Sequence, residues 1–149
     1  MKNIVYFNGK FIKYEEAHVP LATHALHYGT GCFEGIRGYW NEEQQTLFIF
    51  RLRDHYRRLA CSCAMLHMTL PMNVEKLCTV TVELVRRNNV REHVYIRPLV
   101  YKAEESIARF NLDKLAFFKY SPEFSGIDSC PLIGFYGLPA DFGFTGFTT

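Results

Sequence analysis

The sequence predicts an α+β fold, a mainly antiparallel sheet with helices packed on one face. Three observations predict it: short β-branched and aromatic runs open the chain, two helical stripes follow, and another strand-like run comes after them. In chain order, Ile4 to Phe7 and Lys10 to Lys13 flank Asn8-Gly9, a dipeptide suited to a type I′ hairpin turn. A polar stretch from Tyr14 to Thr23 is broken by Pro20. His24 to Cys32 has little periodicity and reads as a loop. Phe33 to Trp40 and Leu47 to Arg51 read as two strands joined by the polar turn Asn41 to Thr46.

The period then changes. Leu52, Tyr56, Leu59, Cys63 and Leu66 recur at steps of four and three, an amphipathic helical stripe with Asp54 as its expected N-cap. Pro71 and Asn73 separate this helix from a second, whose stripe is Val74, Leu77, Cys78, Thr81, Leu84 and Val85. Asn88-Asn89 is its expected stop. Val94 to Tyr101 is a strand, and Pro98 within it predicts an edge position or a bulge because proline donates no ladder bond. Ser125 to Thr149 reads as glycine-, proline- and phenylalanine-rich loop.

Bulk properties narrow the function. At 149 residues and 48% hydrophobic, the chain suits one domain with a core that needs no disulfide or metal. The net charge of +2 argues against a dedicated nucleic-acid binder, and no apolar run is long enough to cross a bilayer. Five cysteines, an odd number, point away from secretion and toward a cytoplasmic location. Cys61 and Cys63 fall on different faces of a helix, and His24 and His27 have no evident third ligand, so no metal site is expected.

Three places carry residues suited to recognition. Around His24 to Arg37, glycines at 29, 31, 35 and 38 are mixed with Tyr28, Phe33, Glu34 and Arg37, either as a tight structural loop or as a ligand-approaching one. Arg57-Arg58 offers guanidinium forks that match phosphate geometry, or a solvated cationic face. Tyr95 and Arg97, two apart in a strand, project from one sheet face, either to share a carboxylate or as a surface pair on a half-exposed sheet.

In this order, His24-Ala25-Leu26-His27-Tyr28-Gly29-Thr30, Phe33-Glu34-Gly35-Ile36-Arg37, Arg51 to Leu59 and Tyr95-Ile96-Arg97-Pro98-Leu99 closely resemble the N-terminal small domain of branched-chain-amino-acid aminotransferases. These are fold-type IV pyridoxal-phosphate enzymes. The resemblance is clear from Ile4 to Ile107. It implies a small domain over residues 1–125 and an unmatched tail over 126–149, with the large catalytic domain outside this sequence.

The resemblance further implies that Arg58 binds the phosphate of pyridoxal 5′-phosphate. Tyr28 and Phe33 would wall the substrate side chain, Tyr28 serving the neighbouring subunit's site in a homodimer. Gly35 would let backbone approach the substrate, Tyr95 would stand near the α-carboxylate, and Arg97 would receive the distal carboxylate of glutamate. Substrates would be leucine, isoleucine or valine with 2-oxoglutarate. The expected geometry is a single hollow in which Arg58, Tyr95 and Arg97 converge above Gly35. No catalytic residue is assigned in this chain. The lysine that holds the cofactor belongs to the large domain, and Lys2, Lys10, Lys13, Lys76, Lys102, Lys114 and Lys119 match no such position. The chain alone is therefore expected to be inactive. The alternative is a non-catalytic binding or dimerisation module derived from the same domain.

Overall fold

The computed structural model describes residues 4–104 and the backbone of 129–136. Strands β1 (Ile4–Phe7) and β2 (Lys10–Lys13) form the expected hairpin. Its turn takes positive φ at both Asn8 (49°) and Gly9 (79°), the combination a type I′ turn requires. A 3-10 turn over Tyr14–Glu16 follows, then a short helix α1 (His24–Tyr28) that ends on left-handed Gly29.

This helix corrects the loop expected there. Five residues are too few for a periodic stripe, and tertiary bonds hold them: His24 N–H donates to Glu104 O at 2.8 Å, and Lys102 N–H to Thr30 O at 3.0 Å. His24 Nδ1 lies 2.8 Å from Thr30 Oγ1, and His27 Nε2 donates to Leu21 O at 2.8 Å. Both imidazoles are thus engaged in holding the segment.

Strands β3 (Gly31–Phe33), β4 (Ile36–Asn41) and β5 (Thr46–Ile49) precede the long helices α2 (Leu52–Met65) and α3 (Val74–Asn88). Asn73 caps α3, its side chain accepting from Lys76 N–H at 2.8 Å, and Asn89 closes it in the left-handed region. Asp54 does not cap α2. The helix begins after left-handed Arg51, and the Asp54 carboxylate accepts from the Arg51 side chain instead, at 2.8 Å. A guanidinium three residues upstream competes well for a first-turn carboxylate, and burial drives this helix without a cap.

Strand β6 (Val94–Lys102) and strand β7 (Ser129–Tyr136) complete the sheet, whose order is β2-β1-β7-β6-β4-β5 with β3 also paired to β6. Every pairing is antiparallel. β7 corrects the loop expected after Ser125: Pro131 and Gly134 interrupt its strand signal, yet eight residues pair with β6 from Ser129↔Lys102 to Tyr136↔Tyr95. The remaining tail residues, including Phe142, Phe144 and Phe147, lie outside the described ones, as does the stretch 105–128.

Pro98 is not at an edge either, since β6 is paired on both sides. In an antiparallel strand, a residue's N and O point toward the same neighbour. Pro98 O accepts from Glu34 N–H at 3.1 Å, so the missing N–H also faces Glu34. The ladder breaks there: β3 pairs Gly31–Phe33 with residues 99–101, and β4 pairs Ile36–Gly38 with residues 94–96. The proline is accommodated in a central strand by splitting its neighbour in two.

Alternation sets the layers. Ile36 on β4 and Val94, Ile96 and Val100 on β6 are buried against Tyr56, Leu59 and Cys63 of α2 and Leu77, Val80 and Leu84 of α3. Intervening residues Phe33, Arg37, Tyr39, Tyr95, Arg97 and Leu99 stand on the opposite, helix-free face. Among the described residues, no helix is long and apolar enough to cross a membrane.

Candidate functional site

The helix-free face gathers four of the predicted residues around the β3–β4 break. The guanidinium of Arg97 stacks over the Phe33 ring, 3.7 Å from its centre, close enough for a cation–π contact. Phe33 remains 54% exposed, so this apolar ring borders open space. Gly35 lies under the phenol of Tyr95: a Cβ there would meet Tyr95 Oη at 2.5 Å and its ring at 3.1 Å. The phenol therefore rests on bare backbone. Arg37, paired in register with Tyr95, brings another guanidinium to this face.

Toward α1, the same face continues into a cavity of about 310 Å³ lined by Leu26, Gly31, Leu99 and Tyr101. The hydroxyl of Thr23, also lining it, is buried without a hydrogen-bond partner among the described residues. Tyr28 stands on α1, its ring tilted against His24 at 4.4 Å.

Arg58 is not on that face. It projects from α2 to the helix side, where Glu34 receives it at both carboxylate oxygens: Nε donates to Oε1 at 2.6 Å and Nη2 to Oε2 at 2.5 Å. His55 Nδ1 lies 2.9 Å from the same Oε2. A carboxylate only accepts, so Nδ1 carries the proton and donates. The 3.3 Å approach of Arg58 Nη2 to that nitrogen is then a contact between donors.

Burial alone would push the Glu34 carboxyl up, but hydrogen bonds from Arg58 and His55 and the attraction of their charges hold it below the usual carboxylate range. Glu34 is buried, whereas the Arg58 side chain is 66% exposed. The carboxylate thus takes the Nε–Nη2 edge of the guanidinium and leaves the outer edge to solvent.

Arg58 therefore approaches the β3–β4 segment from the side opposite Tyr95 and Arg97, and the three side chains are not in contact with one another. Phe33, Gly35, Tyr95 and Arg97 form one group, Arg58 a second, and Tyr28 stands on α1. Backbone joins the two groups, since Glu34 and Gly35 are consecutive and strand alternation sends them to opposite sides. Sequence reasoning missed Glu34 and His55 as the holders of Arg58. One signal was available: His55 and Arg58 are three apart on a helix and so share a face.

The comparisons with known proteins agree with this architecture. The chain belongs to the amino-transferase class IV family, whose pattern matches residues 31–121. Within it, the chain is 43% identical over 99 residues to a probable branched-chain-amino-acid aminotransferase of Aquifex aeolicus, covering 66% of this chain and 32% of that protein. The branched-chain aminotransferase of Thermoproteus uzoniensis, solved with norvaline, superposes with a TM-score of 0.74 at 35% identity, covering 90% of this chain and 40% of that one. The branched-chain amino acid aminotransferase from T.th., complexed with N-(5′-phosphopyridoxyl)-L-glutamate, gives 0.73 at 32% identity, covering 93% and 41%. The chain thus spans about a third of the length of the curated relatives it matches.

Proposed function

We propose that this chain is the N-terminal portion of a pyridoxal-phosphate-dependent branched-chain-amino-acid aminotransferase, and that its helix-free sheet face is the substrate-recognition half of the active site. The observation that carries this reading is the Arg97–Phe33 stack beside the Tyr95 phenol. Such a pocket must accept an apolar side chain in one half-reaction and a second carboxylate in the other. A guanidinium lying on an aromatic ring is compatible with both, because the ring covers the charge and leaves in-plane donors for an anion. Names of the relatives, and the phosphopyridoxyl-glutamate bound by one of the solved enzymes, support leucine, isoleucine or valine with 2-oxoglutarate as the substrates.

Residues present here fit part of the cofactor. The outer edge of Arg58 suits a phosphate, which prefers two parallel N–H donors. When bound, pyridoxal phosphate supplies an electron-accepting ring for amino-group exchange. Tyr95 orients the α-carboxylate over Gly35, and Phe33 excludes water from the substrate side chain. None of the described lysines stands on the strand positions that carry these residues: Lys10 and Lys13 are on β2, Lys76 on α3 and Lys102 at the end of β6. We therefore assign no catalytic residue among the described residues, and, since the chain spans about a third of its relatives' length, expect no turnover by it alone.

A homodimer is part of the proposal. Leu21 just before α1 and Leu26 on it are 83% and 61% exposed, an apolar rim consistent with cover by further protein, as is the position of Tyr28 there. A cytoplasmic location suits cysteines held as thiols.

Two measurements test the reading. The chain incubated with cofactor, leucine and 2-oxoglutarate should form no glutamate beyond background, and sustained formation would refute its inactivity. A chimera joining this domain to the C-terminal portion of the Aquifex aeolicus relative should transaminate leucine. In it, Arg97→Ala should slow the 2-oxoglutarate half-reaction far more than the leucine one; equal slowing would count against the assigned role.

A further inference from the structure

We infer that Glu34 is a positioning residue for the anion-receiving edge of Arg58, with His55 bracing the carboxylate from the other side. The inference rests on the proposal that Arg58 receives the cofactor phosphate. Three observations carry it. Glu34 takes Arg58 through two parallel bonds, at 2.6 and 2.5 Å, on the Nε–Nη2 edge, which fixes the guanidinium plane. His55, one helical turn before Arg58, donates to the oxygen that Nη2 also uses, at 2.9 Å, so the carboxylate cannot rotate without losing two partners. Finally, Glu34 is buried at the β3–β4 break, its N–H bonded to Pro98 O, while the far end of Arg58 faces solvent.

A free arginine side chain loses considerable rotamer entropy when it grips an anion. An arginine already clamped on its inner edge has lost most of that freedom, so its outer edge binds with a smaller penalty. The alternative is a salt bridge that only ties α2 to the sheet. The two differ in sign. Glu34 carries a negative charge bonded to the guanidinium that would receive the phosphate. If its role were only structural, neutralising it would leave phosphate binding unchanged or strengthen it. If it positions Arg58, neutralising it weakens phosphate binding despite the removed repulsion.

The test uses the full 149-residue chain and two probes without an aldehyde, pyridoxine 5′-phosphate and pyridoxine, which cannot condense with surface lysines. The readout is the ratio of their dissociation constants, which isolates the phosphate contribution. The wild-type chain should prefer the phosphate form by roughly tenfold or more, the scale of a charge-assisted bond. Arg58→Ala should bring the ratio near unity, and Glu34→Gln should lower it severalfold with pyridoxine binding unchanged. A Glu34→Gln ratio equal to or above wild type, with Arg58→Ala losing the preference, would overturn the inference and leave the phosphate role of Arg58 standing. A wild-type ratio near unity, or one untouched by Arg58→Ala, would overturn both. Should circular dichroism find Glu34→Gln unfolded, Arg58→Lys decides. It keeps the charge but lacks the fork, so its ratio should fall most of the way to that of Arg58→Ala, and full retention would overturn the positioning role.

Discussion

The two faces of the sheet are built from alternate residues of the same strands, yet they answer to different physics. On the helix side, Ile36, Ile96 and Val100 are completely buried among Tyr56, Leu59 and Leu77. On the other, Phe33 is 54% and Tyr39 46% exposed, with Arg97 and Tyr95 between them. The first face derives its stability from removing apolar area from water. The second keeps aromatic and cationic groups at a surface where they contribute little to holding the domain, an arrangement expected of residues retained for a ligand. A strand period of two lets one nine-residue strand, β6, serve both demands without compromise.

If the faces are this distinct, neighbouring substitutions should give very unequal results. Ile96→Ala should cost about 2–5 kcal/mol, the usual range for truncating a fully buried aliphatic chain. Arg97→Ala, one residue on, should cost below about 1 kcal/mol, the scale of an exposed cation–π contact. Urea denaturation of both variants measures the gap, and similar costs would erase the distinction.

A gentler version uses two glycines three residues apart. A Cβ on Gly38, on the helix side, would lie 2.7 Å from Val94 Cγ1 and 3.3 Å from Leu47, both packed into the core. Gly38→Ala should therefore cost about 1–3 kcal/mol through overpacking. Gly35→Ala meets only the far end of Tyr95, which can swing outward. Stability should fall less than for Gly38→Ala, and the displaced phenol should appear as altered tyrosine chemical shifts. A larger stability loss at Gly35 would reverse the assignment of faces.

How much of this was legible in the sequence follows the same division. The hairpin at Asn8-Gly9, the stripes of α2 and α3 (apart from Leu66, which ends α2 as an exposed C-cap) and the strand at Val94 were legible because local chemistry and burial agree there. Where tertiary contacts decide, local signals failed. α1 is too short to show a period, β7 carries Pro131 and Gly134, and Asp54 turns to Arg51 instead of capping. The grouping of Phe33, Gly35, Tyr95 and Arg97 could be anticipated, since they share a parity in adjacent antiparallel strands. The separation of Arg58 could not, because it depends on Glu34 pointing to the helices at a break created by Pro98.

The core face also makes an alkaline prediction. Burial, reinforced by the neighbouring Cys32 thiol, pushes the Cys63 thiol up to about 12. A raised folded-state value means the associated stability is intact below the unfolded thiol's ordinary range and is lost as pH rises toward 12. Each pH unit above the unfolded value, near about 8.5, should cost up to about 1.4 kcal/mol from this group. Thermal midpoints from about pH 8 to about pH 10.5 should decline, and Cys63→Ala, less stable at neutrality, should decline less steeply. Equal slopes would remove the thiol from the account.

The smallest expected effect tests the one residue that belongs to both sides. Glu34 is buried with the core face but holds Arg58 at the surface, and its partners depress its carboxyl below the usual range. With a lowered folded-state value the sign is opposite: the contribution is present above the unfolded carboxyl's pKa and fades as pH falls through the folded one. Wild type should therefore be more stable than Glu34→Gln at neutral pH, and the difference should narrow from about pH 4.5 downward as the carboxylate takes up its proton. Paired thermal melts at intervals down to about pH 3 would record it. A difference that stays constant over that interval would mean the ion pair adds nothing that protonation can remove. Glu34 would then act on Arg58 through shape alone.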